Sequence, residues 1–121
     1  MVYASTSLAL AAVELFVHLE PGQAPDDLVS ISAKLPEGEP GRTLYSADLP
    51  AAWWTDGAAA AIRKVGDGWI AGRSSLALLV PSVPIRVEWN VLVNPLHSRM
   101  SELRIEAAQP FVFDARMFQQ P

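Results

Sequence analysis

From Leu8 to Leu19 every residue is apolar except Glu14 and His18. At about 3.6 residues per turn, side chains four positions apart stack on one helical face. Ser7 and Ala11 extend that face. A narrow stripe of small and ionisable side chains (Ser7, Ala11, Glu14, His18) therefore runs between flanks of Leu8, Leu10, Leu15, Val17 and Leu19. The pattern predicts a helix over residues 8–19, capped by Ser5 or Thr6 and ended by Pro21-Gly22.

Alternation takes over downstream. Val29, Ile31, Ala33 and Leu35 alternate with Ser30, Ser32 and Lys34, which predicts a half-buried strand between Pro25 and Pro36. Glu37-Gly38-Glu39-Pro40-Gly41 reads as a surface loop. Asp48 with Pro50 suits the start of a short helix carrying Trp53 and Trp54, a pair read as packing rather than as a stacking platform. A second helix from Ala58 to about Val65 is expected to stop at Gly66-Asp67-Gly68. The continuous apolar run of residues 76–80 predicts a central buried strand. In residues 87–94, Val87, Trp89, Val91 and Val93 face one way and Glu88, Asn90, Leu92 and Asn94 the other. Residues 102–106 alternate with their charges outward, and residues 111–114 read as a last strand. Val2-Tyr3-Ala4 reads as the end of a strand with only Met1 before it, so the chain is expected to start partway through a larger fold. No repeat or linker interrupts the pattern, which predicts a single α+β domain over residues 1–121, helices early and strands late.

Composition narrows the chemistry. Half of the 121 residues are hydrophobic and 18% are charged, so a packed core is expected. The absence of cysteine excludes disulfides and thiolate metal sites, and fits a reducing cytoplasm. His18 and His97 lie far apart with no HxxxH or HExxH pattern, so no metal site is expected. The net charge is −4 and the basic residues are scattered, with only Arg63-Lys64 adjacent, which argues against direct nucleic-acid binding. The run of residues 8–19 is too short to span a bilayer. No positive side chain precedes Lys34, so the run does not read as a signal peptide either. The expected location is the cytoplasm, with no membrane partner.

Two places carry candidate chemistry. Glu14 and His18 are either an exposed i,i+4 pair or a site. Ala11 beside a carboxylate leaves room for a ligand, and burying the carboxylate costs several kcal/mol unless partners hydrogen-bond it. The second place is Val80-Pro81-Ser82-Val83-Pro84, followed by Asn90, Asn94 and His97. Ser82 ends a predicted buried strand, where sheets present ligand-binding loops. Ser and Asn near Pro are also ordinary turn residues. A triad of Ser82, His97 or His18, and Glu14 lacks any GxSxG elbow, and no GxGxxG or GxxxxGK[ST] loop exists. Taken alone, these residues support a small ligand-binding or catalytic domain built around one carboxylate.

In order along the chain, these segments resemble the RES domain, the toxin half of bacterial toxin–antitoxin pairs. Tyr3-Ala4-Ser5, Leu8-Ala9-Leu10-Ala11, Glu14 and Val17-His18-Leu19 are similar to its central block, and Gly66-Asp67-Gly68-Trp69 to its G-D-x-W turn. Val80-Pro81-Ser82, the run from Asn90 through Asn94-Pro95 to His97, and Phe113-Asp114-Ala115-Arg116 are similar to its C-terminal block. The match runs in register over residues 2–118.

The resemblance implies a fold related to ADP-ribosyltransferases and cleavage of the nicotinamide–ribose bond of NAD, by hydrolysis, phosphorolysis or ADP-ribosyl transfer. NAD is then a substrate, and no cofactor is implied. Glu14 and Tyr3 match the family's active-cleft glutamate and tyrosine, Ser82 its dinucleotide-contacting serine, and Asn90 a further binding position. His18 would orient Glu14. The implied partner is an Xre-type helix-turn-helix antitoxin. RES domains normally carry several tens of residues before the tyrosine, with a strand bearing an NAD-contacting arginine, and no arginine here precedes Arg42. The chain is thus expected to lack the usual N-terminal strand region, with a strand edge that favours self-association. Two competing expectations follow: a catalytically inactive remnant that still binds antitoxin, and an unrelated small-ligand binding domain.

Overall fold

Two stretches late in the chain carry enough apolar residues to be covered on both sides, and the strands they form lie at the centre of the sheet. The computed structural model describes residues 1–39 and 41–119. Its elements are β1 (Val2–Ser5), α1 (Leu8–Phe16), β2 (Val29–Ser30), β3 (Ala33–Lys34), β4 (Arg42–Thr43), α2 (Ala59–Gly72), β5 (Ala77–Pro81), β6 (Trp89–Val93), β7 (Arg104–Ile105) and β8 (Gln109–Pro110), with four short 3-10 turns between them or after the last strand. This is the α+β architecture expected. The main sheet runs β1-β6-β5-β4; β6 pairs antiparallel with both β1 and β5, and β4 lies parallel to β5.

The register decides what shares a face. Ser5 pairs with Asn90 and Tyr3 with Leu92 across one junction; Val80 pairs with Asn90 and Leu78 with Leu92 across the other. Side chains alternate along a strand, so Tyr3, Ser5, Asn90, Leu92, Leu78 and Val80 project from one face. Leu92 and Leu78 pack there with Leu44 and Trp69 as the core, flanked by Val65 and Ile70 of α2.

Helix α2 corrects the reading of Gly66-Asp67-Gly68 as a turn. The helix passes through all three residues and ends at Gly72, where Arg73 takes the left-handed cap at φ 52°. Two helical glycines cost about 2 kcal/mol relative to alanine. Burying an indole is worth roughly 4–6 kcal/mol, and Trp69 is 3% exposed with its Nε1 donating to Ser75 Oγ at 2.9 Å. Packing wins over propensity.

Other boundaries move for equally local reasons. Ser7, not Ser5 or Thr6, caps α1, its hydroxyl accepting from Leu10 N at 3.1 Å. Ser5 donates to Asn90 and Thr6 to the Trp89 carbonyl, so both are committed to the sheet. The helix ends at Phe16 rather than Leu19, and tighter turns follow. Trp53 and Trp54 occupy a turn entered through Ala52 at φ 53°, not a helix.

The strand expected over residues 29–35 divides into β2 and β3. Ser30 pairs with Gln109 and Ala33 with Ile105, so three residues on one side oppose two on the other, a bulge that interrupts the ladder. Its alternation is real but uncovered: Val29, Ile31 and Leu35 are exposed. Strand pairing near residues 102–106 is confined to β7. Residues 111–114 are not a strand; beyond β8 the chain is held by Phe113, which packs edge-on against Phe111 and Phe118 and tilted against Phe16.

Of the expected surface loop, Pro40 lies outside the described residues. Glu39 is anchored rather than free, its Oε1 accepting from Leu76 N at 3.1 Å and its Oε2 lying 3.8 Å from Arg99. Among the described residues, no helix is long and apolar enough to cross a membrane.

Candidate functional site

Helix α1 places Glu14 by three anchors. Ser7 fixes its start, Leu10 is buried, and Phe16 sits between Phe113 and Phe118 at centroid distances of 6.1 and 5.5 Å. Glu14 is left half-buried, aimed at the end of the sheet where β5 finishes and β6 begins.

Two donors meet one of its oxygens. Ser82 Oγ donates to Oε1 at 2.7 Å and Asn90 Nδ2 donates to the same atom at 2.6 Å. A carboxylate only accepts, so the Asn90 amide must turn its NH2 toward Glu14 and its carbonyl away. That carbonyl accepts from Ser5 Oγ at 2.7 Å. Oε2 has no hydrogen-bond partner among the described residues, and no buried side-chain oxygen is left unsatisfied, so Oε2 is open to solvent. One oxygen is fixed and the other is presented.

Ser82 reaches this position because β5 ends at Pro81 and the chain turns back. Its N–H donates to the Glu88 carbonyl at 2.9 Å, its hydroxyl accepts from Ile85 N at 3.2 Å, and it is fully buried. The single hydroxyl proton goes to Glu14 rather than to a histidine, so the Ser-His-acid triad is not assembled. His97 lies beyond the opposite end of β6, where its Nδ1 accepts from Arg99 N at 3.0 Å. Asn94 shares the Asn90 face but not the site; four strand residues on, its Nδ2 donates to the Ile70 carbonyl of α2 at 3.0 Å.

Glu14 stands at the junction of two chambers. The inner one, about 210 Å³, is walled mainly by apolar side chains, among them Leu44, Leu49, Leu78 and Val80, with Asn90 at its polar end. The outer one, about 610 Å³, contains His18, Trp54, Asp56, Arg63 and Asp67. Tyr3, Glu14 and Trp53 border both. Tyr3 is 75% exposed at the mouth. His18 lies past the end of α1, exposed in the outer chamber, and no hydrogen bond joins it to Glu14 among the described residues.

Helix α2 supplies the facing wall. Ala59, Ile62, Arg63, Gly66 and Asp67 recur at helical spacing and all border the outer chamber, with Ala59 and Gly66 small enough to keep it wide. Reading α2 as ending near Val65 hid this face; the recurrence of small residues at positions 59 and 66 was its only signal. Ser5, one of the two residues the sequence offers as a cap, lies two residues from Tyr3 and therefore on the same strand face. Trp53 is 6% exposed yet walls both chambers, and Trp54 packs edge-on against it under the Arg86 guanidinium, 4.2 Å from the ring. Among the described residues no group of three or more His, Cys, Asp or Glu gathers to hold a metal.

The arrangement suits a reaction that builds positive charge near a neutral leaving group. A pinned carboxylate with one accessible oxygen offsets such charge without reorganising. An apolar pocket of about 210 Å³ beside it has room for a small apolar group.

The family model described as RES domain matches residues 1–114. The Prs ADP-ribosylating toxin of Sphingobium sp. (strain YBL2) is 31% identical, the alignment covering 97% of this chain and 74% of that protein. A protein named Toxin Res from Yersinia enterocolitica is 30% identical over 96% of this chain and 76% of its own. A Toxin Res from Pseudomonas putida (strain KT2440) is 32% identical over 98% and 79%.

Proposed function

The chain belongs to the RES domain family, and we propose that it is a toxin that cleaves the nicotinamide–ribose bond of NAD. The observation that carries this reading is the Glu14 carboxylate, held through Oε1 by Ser82 and Asn90 with Oε2 open to the cleft. One relative, named Prs ADP-ribosylating toxin, supports chemistry at the same bond.

Nicotinamide occupies the apolar inner chamber and its ribose lies at the junction. The bond from ribose C1′ to the pyridinium nitrogen breaks with both electrons passing to nitrogen, so nicotinamide leaves neutral. The positive charge is shared between C1′ and the ring oxygen, as in glycoside hydrolysis. Glu14 Oε2 accepts from a ribose hydroxyl and offsets that charge. Tyr3 borders the substrate at the mouth. Water, phosphate or a protein nucleophile then adds to C1′ and loses a proton. Ser82 and Asn90 are positioning residues, because they act through Glu14. An Xre-type helix-turn-helix antitoxin neutralises the toxin in the cytoplasm, and the antitoxin, not this chain, contacts DNA.

The test is nicotinamide release from NAD by purified protein, with and without phosphate, beside Glu14→Gln. Glutamine keeps an acceptor for Ser82 and Asn90, so the fold is retained while release falls at least a hundredfold. Equal release by the two proteins overturns the reading.

A further inference from the structure

Building on that reading of Glu14, we propose that Arg63, on the cleft face of α2, holds the pyrophosphate of the dinucleotide. The inner chamber, about 210 Å³, is too small for more than the nicotinamide end, and ligand sites for larger molecules run from about 300 Å³ upward. The rest of the molecule must continue into the outer chamber of about 610 Å³, which shares Glu14, Tyr3 and Trp53 with the inner one. A pyrophosphate entering there carries two negative charges and needs a cation.

Arg63 is the permanently charged cation among the residues of that chamber. It lies one residue from Ile62 and one helical turn from Gly66, both of which also border the inner chamber, so its guanidinium is based close to the junction. Among the described residues it forms no ion pair and no side-chain hydrogen bond. Asp67 sits one turn further along the same face, yet no carboxylate comes within 4.0 Å of Arg63. The planar guanidinium presents donors in a fork that matches two phosphate oxygens. Glu14, Asp56 and Asp67 also border the chamber, so carboxylates outnumber Arg63 even with it in place, and removing it leaves no arginine or lysine there to offset them. Recognition of the anion therefore rests on this side chain.

The experiment compares two substrates that share the scissile bond. NAD carries the pyrophosphate, whereas nicotinamide riboside carries none. Arg63→Ala is expected to raise KM for NAD about tenfold, the lower end for a charged hydrogen-bonding group, with kcat within about twofold. KM for nicotinamide riboside stays the same, and Arg63→Lys falls between. Unchanged KM for NAD, or an equal rise for both substrates, overturns the proposal. ADP-ribose binding, followed by calorimetry, separates this inference from the reading it rests on. Should the parent chain release no nicotinamide, the proposed reaction fails, while ADP-ribose binding weakened about tenfold by Arg63→Ala still upholds the Arg63 site. Equal ADP-ribose affinity in parent and variant, or no binding by either, overturns it.

Discussion

Ser82 donates its hydroxyl proton to Oε1 of Glu14 at 2.7 Å, across 68 residues of chain. A buried donor to a carboxylate is worth more than a neutral one, and this hydroxyl also accepts from Ile85 N. Ser82→Ala is expected to cost about 1–3 kcal/mol in urea denaturation, because a backbone N–H loses its acceptor along with the carboxylate contact. It should lower kcat for nicotinamide release about tenfold with a smaller change in KM. A KM effect alone would show that Ser82 binds substrate directly instead of positioning Glu14.

Asn90→Asp replaces the second donor with an acceptor facing the same oxygen. Two carboxylates at hydrogen-bonding distance cannot both ionise without cost, so the folded variant binds a proton more tightly than its unfolded chain. A raised folded pKa gives stability that is present at low pH and lost as pH rises. The Tm deficit of the variant relative to the parent should therefore shrink as pH falls from about 7 to about 5. A constant deficit across that range would mean that the two groups do not face each other.

The same carboxylate shows what a sequence can and cannot reveal. Glu14, Ser82 and Asn90 are all legible in the sequence, Glu14 as an ionisable group in an apolar helix, Ser82 at the end of an apolar run and Asn90 as one of the positions that alternate with Val91 and Val93. Their convergence depends on register, which no local pattern encodes. The sequence offers Ser5 or Thr6 as the helix cap; β6 claims both through Asn90 and the Trp89 carbonyl, and the cap falls to Ser7. His18 lost its relation to Glu14 because the helix ends at Phe16, where the phenylalanine cluster takes over. The strand over residues 29–35 shows the limit of periodicity, since alternation says that a face is apolar and not that anything covers it.

Gly68 tests the helix that the glycines concealed. It lies inside α2, and a Cβ built there meets nothing within 4 Å. Gly68→Ala should raise stability by about 0.5–1 kcal/mol in thermal or urea melts, the ordinary gain at an open helical position. Destabilisation would indicate a turn at this position. Trp69→Phe, which removes the donor to Ser75 and part of the ring, should cost about 1–3 kcal/mol.

Two surface pairs contribute to the acid response. The hydrogen bond from Arg99 holds the Glu102 carboxyl below its usual range, and that from Arg116 does the same for Asp114. A depressed folded pKa gives stability that is present above the unfolded value and lost as pH falls through the folded one. Both pairs are exposed, so the loss below about pH 4.5 should be small and should diminish further in 1 M salt. Melting curves at pH 5 and pH 3.5, with and without salt, measure it. A salt-independent acid limb would assign the response to buried groups.

The partners of Glu14 arrive late in synthesis. Asn90 is translated 76 residues after the carboxylate it holds. At roughly 5–20 residues per second that interval is about 4–15 s, with further time for the chain to clear the ribosome. Helix α1 can form early, but Oε1 stays unclaimed until β5 and β6 have joined the sheet. A ribosome-bound intermediate therefore carries its carboxylate well before it carries the two donors that fix it.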